Sequence, residues 1–473
     1  MNLTAPCTPD QWTPATLDRE LIRKYDRPGP RYTSYPTAPN FQDFSATDYQ
    51  GLLRASAESK RRLSLYLHMP FCRTLCFYCG CNVTVSRSAQ RGQTYLDHLK
   101  REIDLTAAEL GTGREVVQIH LGGGTPNFFQ PQELADLFAH LRGAFRWHDD
   151  CEIGVEVDPR TVSEEHLDAL AGAGVNRLSA GLQDLEEKVQ KAINRVQPFD
   201  VTRAVVDGAH ERGIKSVNLD LVYGLPHQTV ETFERTLDGA IALNPERFAV
   251  FNFAYLPTML PHQRVIDPAA LPSAEEKLST LERVIERLTG AGYVMIGMDH
   301  FARPEDPLSQ ALLDRSLTRN FQGYSTWGET DLVAFGASAI GFLGGGFAQN
   351  RKDVTSYQEA VGNDTFATCR GFVLNDEDQL RRDVIQELMC HFRLSFNEIE
   401  ARHPISFRER SFKEYFQDAL ERLVPMAADG LIEIEGDTIQ VQPAGQLLVR
   451  NVAMAFDGYL PRNGTTTAFS RTV

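Results

Sequence analysis

Four cysteines stand close together, Cys72, Cys76, Cys79 and Cys81, in the run Pro70-Phe71-Cys72-Arg73-Thr74-Leu75-Cys76-Phe77-Tyr78-Cys79-Gly80-Cys81-Asn82. A segment this short cannot span a fold, but it can wrap one compact inorganic centre. Thiolates are soft ligands that suit iron–sulfur clusters and zinc. Structural zinc usually gathers two separated pairs of ligands into a tetrahedron. A single loop, with no second Cys/His cluster after it, matches that poorly. A disulfide needs an oxidising compartment, and Met1 to Asp10 shows no basic region leading into an apolar core, so no export signal is read. A cuboidal [4Fe–4S] cluster offers neighbouring irons that closely spaced thiolates can take one each. If only three bind, one iron stays open to a small molecule.

Other residues could serve such a centre. Gly122-Gly123-Gly124-Thr125-Pro126 follows an apolar run. Its backbone can approach a ligand closely and offer N–H groups to a carboxylate, although a plain tight turn explains it equally well. Glu156 and Asp158 stand at i and i+2, so on a strand they share a face. They read either as a solvated or capping pair or as ligands of hydroxyl groups. Gln183 and Asp220 fall at the ends of further apolar runs. Arg195 could be a solvated helix-end charge, yet a guanidinium is well shaped to grip a carboxylate.

These residues hang on a regular alternation of short apolar runs and amphipathic stretches. Strands are expected at Leu63–Met69, Val116–Leu121, Glu152–Val157, Asn176–Gly181, Val217–Val222, Phe248–Tyr255 and Tyr293–Met298. Helices are expected over Thr94–Leu110, Pro131–Phe145, Ser163–Ala171, Glu186–Ile193, Val201–Arg212, Thr229–Leu243 and Ala274–Leu288, with Ser163 as an N-cap. Such alternation implies parallel βαβ units and a complete or incomplete barrel, in which chemistry gathers at the C-terminal strand ends. Tyr66, His68, Asp299 and His300 also fall at such ends. After about Gly371 the pattern becomes helices at Gln379–Phe392 and Phe412–Leu423, a hairpin turning at Gly436-Asp437, and a last helix at Gly445–Phe456. Helices followed by a hairpin resemble a winged-helix module, read here as a lid or packing domain. Three segments are expected: an extension over 1–62, a catalytic barrel over 63–370 and a small α+β domain over 371–473.

The chain has 473 residues, 42% hydrophobic and 23% charged, with net charge −15. The composition is globular, and no run of about 18 apolar residues marks a membrane span. The acidic balance argues against nucleic acid and anionic membranes as partners. A reducing, cytoplasmic setting and a monomer are expected. The scattered Cys7, Cys151, Cys369 and Cys390 read as buried free thiols.

Cys72-x-x-x-Cys76-x-x-Cys79, with aromatic Tyr78 before the third cysteine, resembles the signature of the radical S-adenosylmethionine superfamily. The resemblance implies an incomplete (β/α) barrel, a [4Fe–4S] cluster on Cys72, Cys76 and Cys79, and S-adenosylmethionine on the open iron. It also implies reductive cleavage of that sulfonium to methionine and a 5′-deoxyadenosyl radical that abstracts hydrogen. Longer stretches, among them Gly29–Thr37, Cys79–Asn82, Glu156–Arg160, Asn218–Pro226, Gly297–Pro304 and Arg319–Tyr324, resemble the oxygen-independent coproporphyrinogen III oxidase family over nearly the whole chain. That narrower resemblance implies two S-adenosylmethionine molecules. The first would lie near Tyr66, Gly123, Glu156, Ala254 and Ile340. The second would lie near Tyr78, Gly124, Thr125, Gln183, Arg195 and Asp220, with Cys81 beside it as a candidate for a catalytic part.

The implied reaction is oxidative decarboxylation of the ring A and B propionates of coproporphyrinogen III to vinyl groups, giving protoporphyrinogen IX. It needs an electron donor and an acceptor that the sequence does not identify. Four substrate carboxylates would suit Arg23, Lys24, Arg27 and Arg31 of the extension, which is expected to cover the barrel mouth; a solvated basic strip is the plainer reading. The alternatives are a haem-trafficking chaperone paralogue and a radical methyltransferase. The long N-terminal segment and Cys81 favour the oxidase over the chaperone.

Overall fold

The computed structural model describes residues 17–111, 113–460, 469, 471 and 472. Cys7 and the Met1–Asp10 stretch lie outside them. Contacts divide the chain into two units: Gln42–Thr280 with Glu329–Val373, and Met1–Phe41 with Leu281–Gly328 and Leu374–Val473. The three consecutive segments read from sequence do not coincide with these units, because pieces distant along the chain close a shared core. Gln42–Asp43, for example, pairs antiparallel with Arg370 and Gly371.

The first unit is built on a parallel sheet. Its strands run in the order Thr330–Phe335, Arg62–Met69, Glu115–Gly123, Arg146–Val157, Arg177–Gln183, Ser216–Tyr223 and Arg247–Asn252. Each neighbouring pair is parallel. Leu63, Leu65, Leu67 and Met69 have no exposed surface, as do Val116, Ile119 and Leu121. Burial on both faces is what a helix-covered parallel sheet requires. The helices Ala89–Leu110, Pro131–Ala144, Glu164–Gly172, Phe199–Glu211 and Val230–Ala242 make the crossovers. Ser88, Ser163 and Thr229 cap three of them, each hydroxyl accepting from the amide three residues on. Beyond Thr330–Phe335 the sheet continues antiparallel through Ile340–Leu343, Gly346–Asn350 and Thr368–Val373.

One strand expectation is corrected. The seventh expected strand, Tyr293–Met298, is Val294–Gly297, which belongs to the other unit and folds antiparallel onto His300–Ala302. The seventh parallel strand is Thr330–Phe335, which adds beside the first strand. Chain order suggests growth at the far edge, and here the sheet also grows at the near one.

The second unit packs the helix Asp376–His391 and its neighbours around Leu380, Val384, Leu388, Phe412, Phe416 and Phe456. The expected hairpin is present as Ile432–Glu435 against Thr438–Val441, with Arg393–Ser395 as a third strand. Two helices are corrected. Phe412–Leu423 is broken at Phe416 into Phe412–Tyr415 and Gln417–Ala428. Gly445–Phe456 is a short α-helix, Val449–Ala453, between 3-10 turns. Gly445 passes so close to the Leu431 carbonyl that a Cβ there would stand 2.1 Å from it. Among the described residues no helix is long and apolar enough to cross a membrane.

Candidate functional site

The cysteine loop leaves the C-terminal end of Arg62–Met69 and is tied down at many points. Phe71–Cys72 pairs with Thr84–Val85. The Phe77 amide donates to Ile193 O at 3.0 Å, Asn194 Nδ2 to Leu75 O at 2.8 Å, and His262 Nε2 to Cys79 O at 2.8 Å. Asn82 Nδ2 donates to Lys352 O at 3.0 Å. Phe77 and Tyr78 pack on a small core of Val189, Ile193, Val222, Leu225, Phe253 and Ile266. Hydrophobic anchoring therefore fixes the loop from beneath, leaving its thiols turned to the other side.

The glycine run lies edge to edge with this loop. His68 and Met69 pair with Gly122 and Gly123, the Gly124 amide donates to Met69 O at 2.8 Å, and the Thr125 amide donates to Phe71 O at 2.9 Å. Gly124 requires glycine for close approach, since a Cβ there would stand 2.6 Å from the backbone Met69 O; a Cβ on Gly122 would stand 2.6 Å from Glu156 Oε1 and push that carboxylate aside.

Cys72, Cys76, Cys79 and Cys81 line one cavity of about 250 Å³ with Tyr78, Gly123, Gly124, Thr125, Glu156, Asp158, Arg160, Gln183, Arg195 and Asp220. Glu156 is 42% exposed to it. Burial works against ionisation of Glu156, but the His120 hydrogen bond and charge, with the Gly123 amide, hold its pKa below the ordinary value. Asp158 is likewise lowered against its burial, by Arg160 at 2.6 Å and Arg195 at 3.4 Å. Asp220 goes the other way. Burial and the neighbouring Glu156 charge raise it to about 7, although Asn218 Nδ2 donates to it at 2.7 Å and Ser179 Oγ at 3.2 Å.

Arg195 donates to Gly181 O at 2.7 Å and to Cys76 Sγ at 3.7 Å, while its buried Nε has no partner. A buried guanidinium with an unused donor is suited to an anionic ligand group. Cys72 is raised to about 11 by burial, and Thr125 Oγ1 lies 3.3 Å from its sulfur. Cys79 is drawn down to about 7 by donation from Cys81, which is itself pushed well up. Bound iron would deprotonate coordinating thiols outright. The thiol set, the glycine cradle and the unpartnered Arg195 Nε fit an iron–sulfur cluster with an amino-acid ligand beside it.

Tyr66, Ala254 and Ile340 stand outside the cavity lining. Tyr66 stacks on His120 with ring centres 6.0 Å apart and donates to His68 Nδ1 at 3.0 Å. The Ala254 carbonyl accepts from Gln263 at 3.2 Å, and Ile340 opens a strand opposite Gln349. In the other unit Lys24 pairs with Asp429 at 2.5 Å and Arg31 with Asp299, while the Arg27 amide donates to Thr472. Arg23 is exposed on the helix Arg19–Tyr25. Of the scattered cysteines, Cys151 and Cys390 are buried and Cys369 is only half-buried.

Reading by sequence missed His120 and Arg160 as supports of the two carboxylates. His120 lies two residues before the glycine run and alternates onto the strand face of Glu156's neighbour Gly154, a signal visible once strand register is known.

The comparisons with known proteins agree with this geometry. Residues 66–240 match the Radical SAM superfamily and residues 374–448 the HemN C-terminal domain. The fold and the cavity thus define a radical S-adenosylmethionine protein, with a [4Fe–4S] cluster and S-adenosylmethionine as its cofactors. The chain is 46% identical to oxygen-independent coproporphyrinogen III oxidase of Salmonella typhimurium, over 96% of this chain and 98% of that one. It is 45% identical to the Escherichia coli protein of the same name, with the same coverage. The solved structure of coproporphyrinogen III oxidase (HemN) from Escherichia coli, described as a radical SAM enzyme, superimposes with TM-score 0.89 at 43% identity, covering 94% of this chain and 99% of that chain. The chain belongs to the oxygen-independent coproporphyrinogen III oxidase family.

Proposed function

We infer that this chain oxidatively decarboxylates the ring A and B propionates of coproporphyrinogen III to vinyl groups without oxygen, as an enzyme of porphyrin and haem biosynthesis. The observation that carries this reading is one cavity lined by four cysteines, a glycine cradle and an ionised glutamate, in a chain like its named relatives along nearly all its length. The cluster with S-adenosylmethionine supplies a radical that removes hydrogen from the propionate.

The protein's own work is binding, orientation and exclusion of water. Cys72, Cys76 and Cys79 hold the cluster. Glu156, kept anionic by His120 and Gly123, accepts from ribose hydroxyls, and the glycine run receives the methionine end. We assign a second S-adenosylmethionine to the wall formed by Tyr78, Thr125, Gln183, Arg195 and Asp220, with Arg195 Nε facing its carboxylate. Tyr66, Ala254 and Ile340 support the first molecule from behind the lining. Cys81, exposed beside Cys79, serves the second molecule rather than the cluster. Arg23, Lys24, Arg27 and Arg31 pair with propionates, Arg31 and Lys24 exchanging Asp299 and Asp429 for substrate. The protein acts as a cytoplasmic monomer with a separate electron donor and acceptor.

The test is anaerobic turnover of reconstituted protein with coproporphyrinogen III, S-adenosylmethionine, a reductant and cell extract, followed by mass spectrometry. Loss of two carboxyl groups with matching 5′-deoxyadenosine supports the reading. Deoxyadenosine without tetrapyrrole change moves it to the chaperone or another substrate. Deleting residues 1–35 should abolish decarboxylation and spare the cluster; full turnover by that variant removes the role given to the N-terminal arginines.

A further inference from the structure

The chain is acidic overall, with net charge −15, yet its charge is not evenly spread. Between Glu58 and Asp97 there is no Asp or Glu, while Lys60, Arg61, Arg62, Arg73, Arg87 and Arg91 are all basic. This acid-free stretch contains the whole cysteine loop.

In the structure, Arg73, Arg87, Arg91, Arg351 and Lys352 are exposed. No ion pair engages any of these five among the described residues. Four of them belong to the loop or touch residues bonded to it, and Arg351 precedes the fourth, Lys352, in the chain. Arg73 lies over the Phe128 ring at 5.7 Å and Arg91 over Phe71 at 5.9 Å, the residue before Cys72. Arg87 follows Ser86, whose amide donates to Cys72 O at 2.9 Å. Lys352 is held to the far end of the loop by the Asn82 bond to its carbonyl at 3.0 Å. Among these cations Val85 leaves an apolar side chain 48% exposed, opposite Cys72 in the short strand pair. The adjacent Asp353 is turned to its own helix, accepting from the Ser356 amide at 2.9 Å.

We propose that this basic rim, centred on Val85 and formed by Arg73, Arg87, Arg351 and Lys352, docks an acidic one-electron carrier protein that reduces the centre held by Cys72, Cys76 and Cys79. The proposal rests on the iron–sulfur reading of that cavity. A reduced carrier gives up one electron and the cluster gains one, with no bond made or broken in the protein. Electron transfer weakens steeply with distance, so the carrier must dock close to the loop, and the rim is bonded to it directly: exposed Val85 pairs opposite Cys72, and Lys352 O holds Asn82. A cationic rim on an otherwise acidic protein steers an acidic partner to this one face and repels it elsewhere.

The experiment uses the cluster-loaded full chain. Reduced plant-type ferredoxin, an acidic one-electron iron–sulfur carrier, is mixed with it by stopped flow, and cluster reduction is followed by loss of visible absorbance across a series of salt concentrations. Reduced methyl viologen, a small cation, serves as the second reductant. For the unaltered chain the ferredoxin rate should fall steeply with salt. The combined Arg87→Glu, Arg351→Glu, Lys352→Glu variant should lose about tenfold or more of that rate at low salt and most of its salt dependence, with the viologen rate not slowed. The corresponding reversal of Arg146, Arg203 and Lys215, exposed cations away from the loop, should change neither. An unaltered ferredoxin rate in the rim variant overturns the proposal, as does equal slowing with both reductants, which would place the effect in the cluster. Failure of viologen to reduce the unaltered protein would instead count against the iron–sulfur reading itself.

Discussion

His120 Nε2 donates to Glu156 Oε1 at 3.1 Å, and the imidazole is itself backed by the Tyr66 ring. Gly154 opposite leaves room for it, since a Cβ there would stand 3.0 Å from His120 Nδ1. The carboxylate that faces the cavity is thus aimed by a side chain on the neighbouring strand. His120→Ala should weaken equilibrium binding of S-adenosylmethionine to the cluster-loaded protein about tenfold, equivalent to ~1.4 kcal/mol. His120→Gln, which can still donate, should recover most of it. Equal loss in both variants would mean the ring's bulk matters and its donor does not.

The cysteines separate into two groups by experiment. Cys72→Ser, Cys76→Ser and Cys79→Ser should each yield protein with little iron after anaerobic reconstitution. Cys81→Ser should keep its iron and its visible spectrum while losing decarboxylation. Iron analysis beside the turnover assay distinguishes them, and an iron-free Cys81→Ser protein would make it a ligand.

Gly124→Ala tests the contact between the glycine run and the first strand. Its Cβ would meet Met69 O at 2.6 Å and the Pro70 carbonyl carbon at 2.7 Å, both backbone atoms that cannot swing away. A destabilisation of about 1–3 kcal/mol is expected, read by thermal unfolding, together with weaker S-adenosylmethionine binding. Gly143→Ala is the control, because nothing lies within 4 Å of its Cβ and it sits in a helix.

Asp220 carries a pH dependence with a definite sign. Its folded pKa of about 7 stands above the ordinary carboxylate value. Between the two values the folded chain holds a proton that the unfolded chain has released. Its contribution to stability therefore falls as pH rises from about 4 to about 7 and is flat above that. Screening through the open cavity limits the effect to about 1–2 kcal/mol. Asp220→Asn should be more stable than the unaltered chain at pH 8 and close to it at pH 5, measured by denaturant unfolding. A stability difference independent of pH would show that Asp220 does not titrate in this range.

Glu102 is a buried carboxylate with every oxygen satisfied: it accepts from the Gly336 amide at 2.8 Å, Asn350 Nδ2 at 2.6 Å and Tyr357 OH at 2.7 Å. Glu102→Gln turns an amide nitrogen toward donors. A loss of about 2–3 kcal/mol is expected, with Tyr357→Phe far milder. Thermal unfolding of both variants decides it.

The parallel strands were legible because each is a short apolar run closed by a glycine, proline or polar residue, as Leu63–Met69 and Val217–Val222 show. Thr330–Phe335 carries the same signal in Leu332-Val333-Ala334-Phe335 before Gly336, but its place beside the first strand is a matter of topology that local pattern does not contain. The cavity's cysteines could be read from type and spacing, whereas the glycine run read equally as a tight turn and Glu156 as a solvated pair until the family resemblance placed them. The arrangement that fixes their charge could not be read. His120 reaches Glu156 from the adjacent strand, and Arg160, two residues on, and Arg195, 37 residues on, converge on Asp158. Lys24 and Arg31 looked like loose basic residues, yet they find Asp429 and Asp299 hundreds of positions away.

The many ties on the cysteine loop, from Leu75, Phe77 and Cys79 to Asn194, Ile193 and His262, are all made by the polypeptide itself. Each of these three partners sits outside the Cys72–Cys81 loop and grips it by a carbonyl or an amide, never by a thiol. The aim of the sulfur atoms is thus a long-range property of the chain, and a substitution far away in sequence at Asn194 or His262 can spoil the centre while leaving every cysteine untouched.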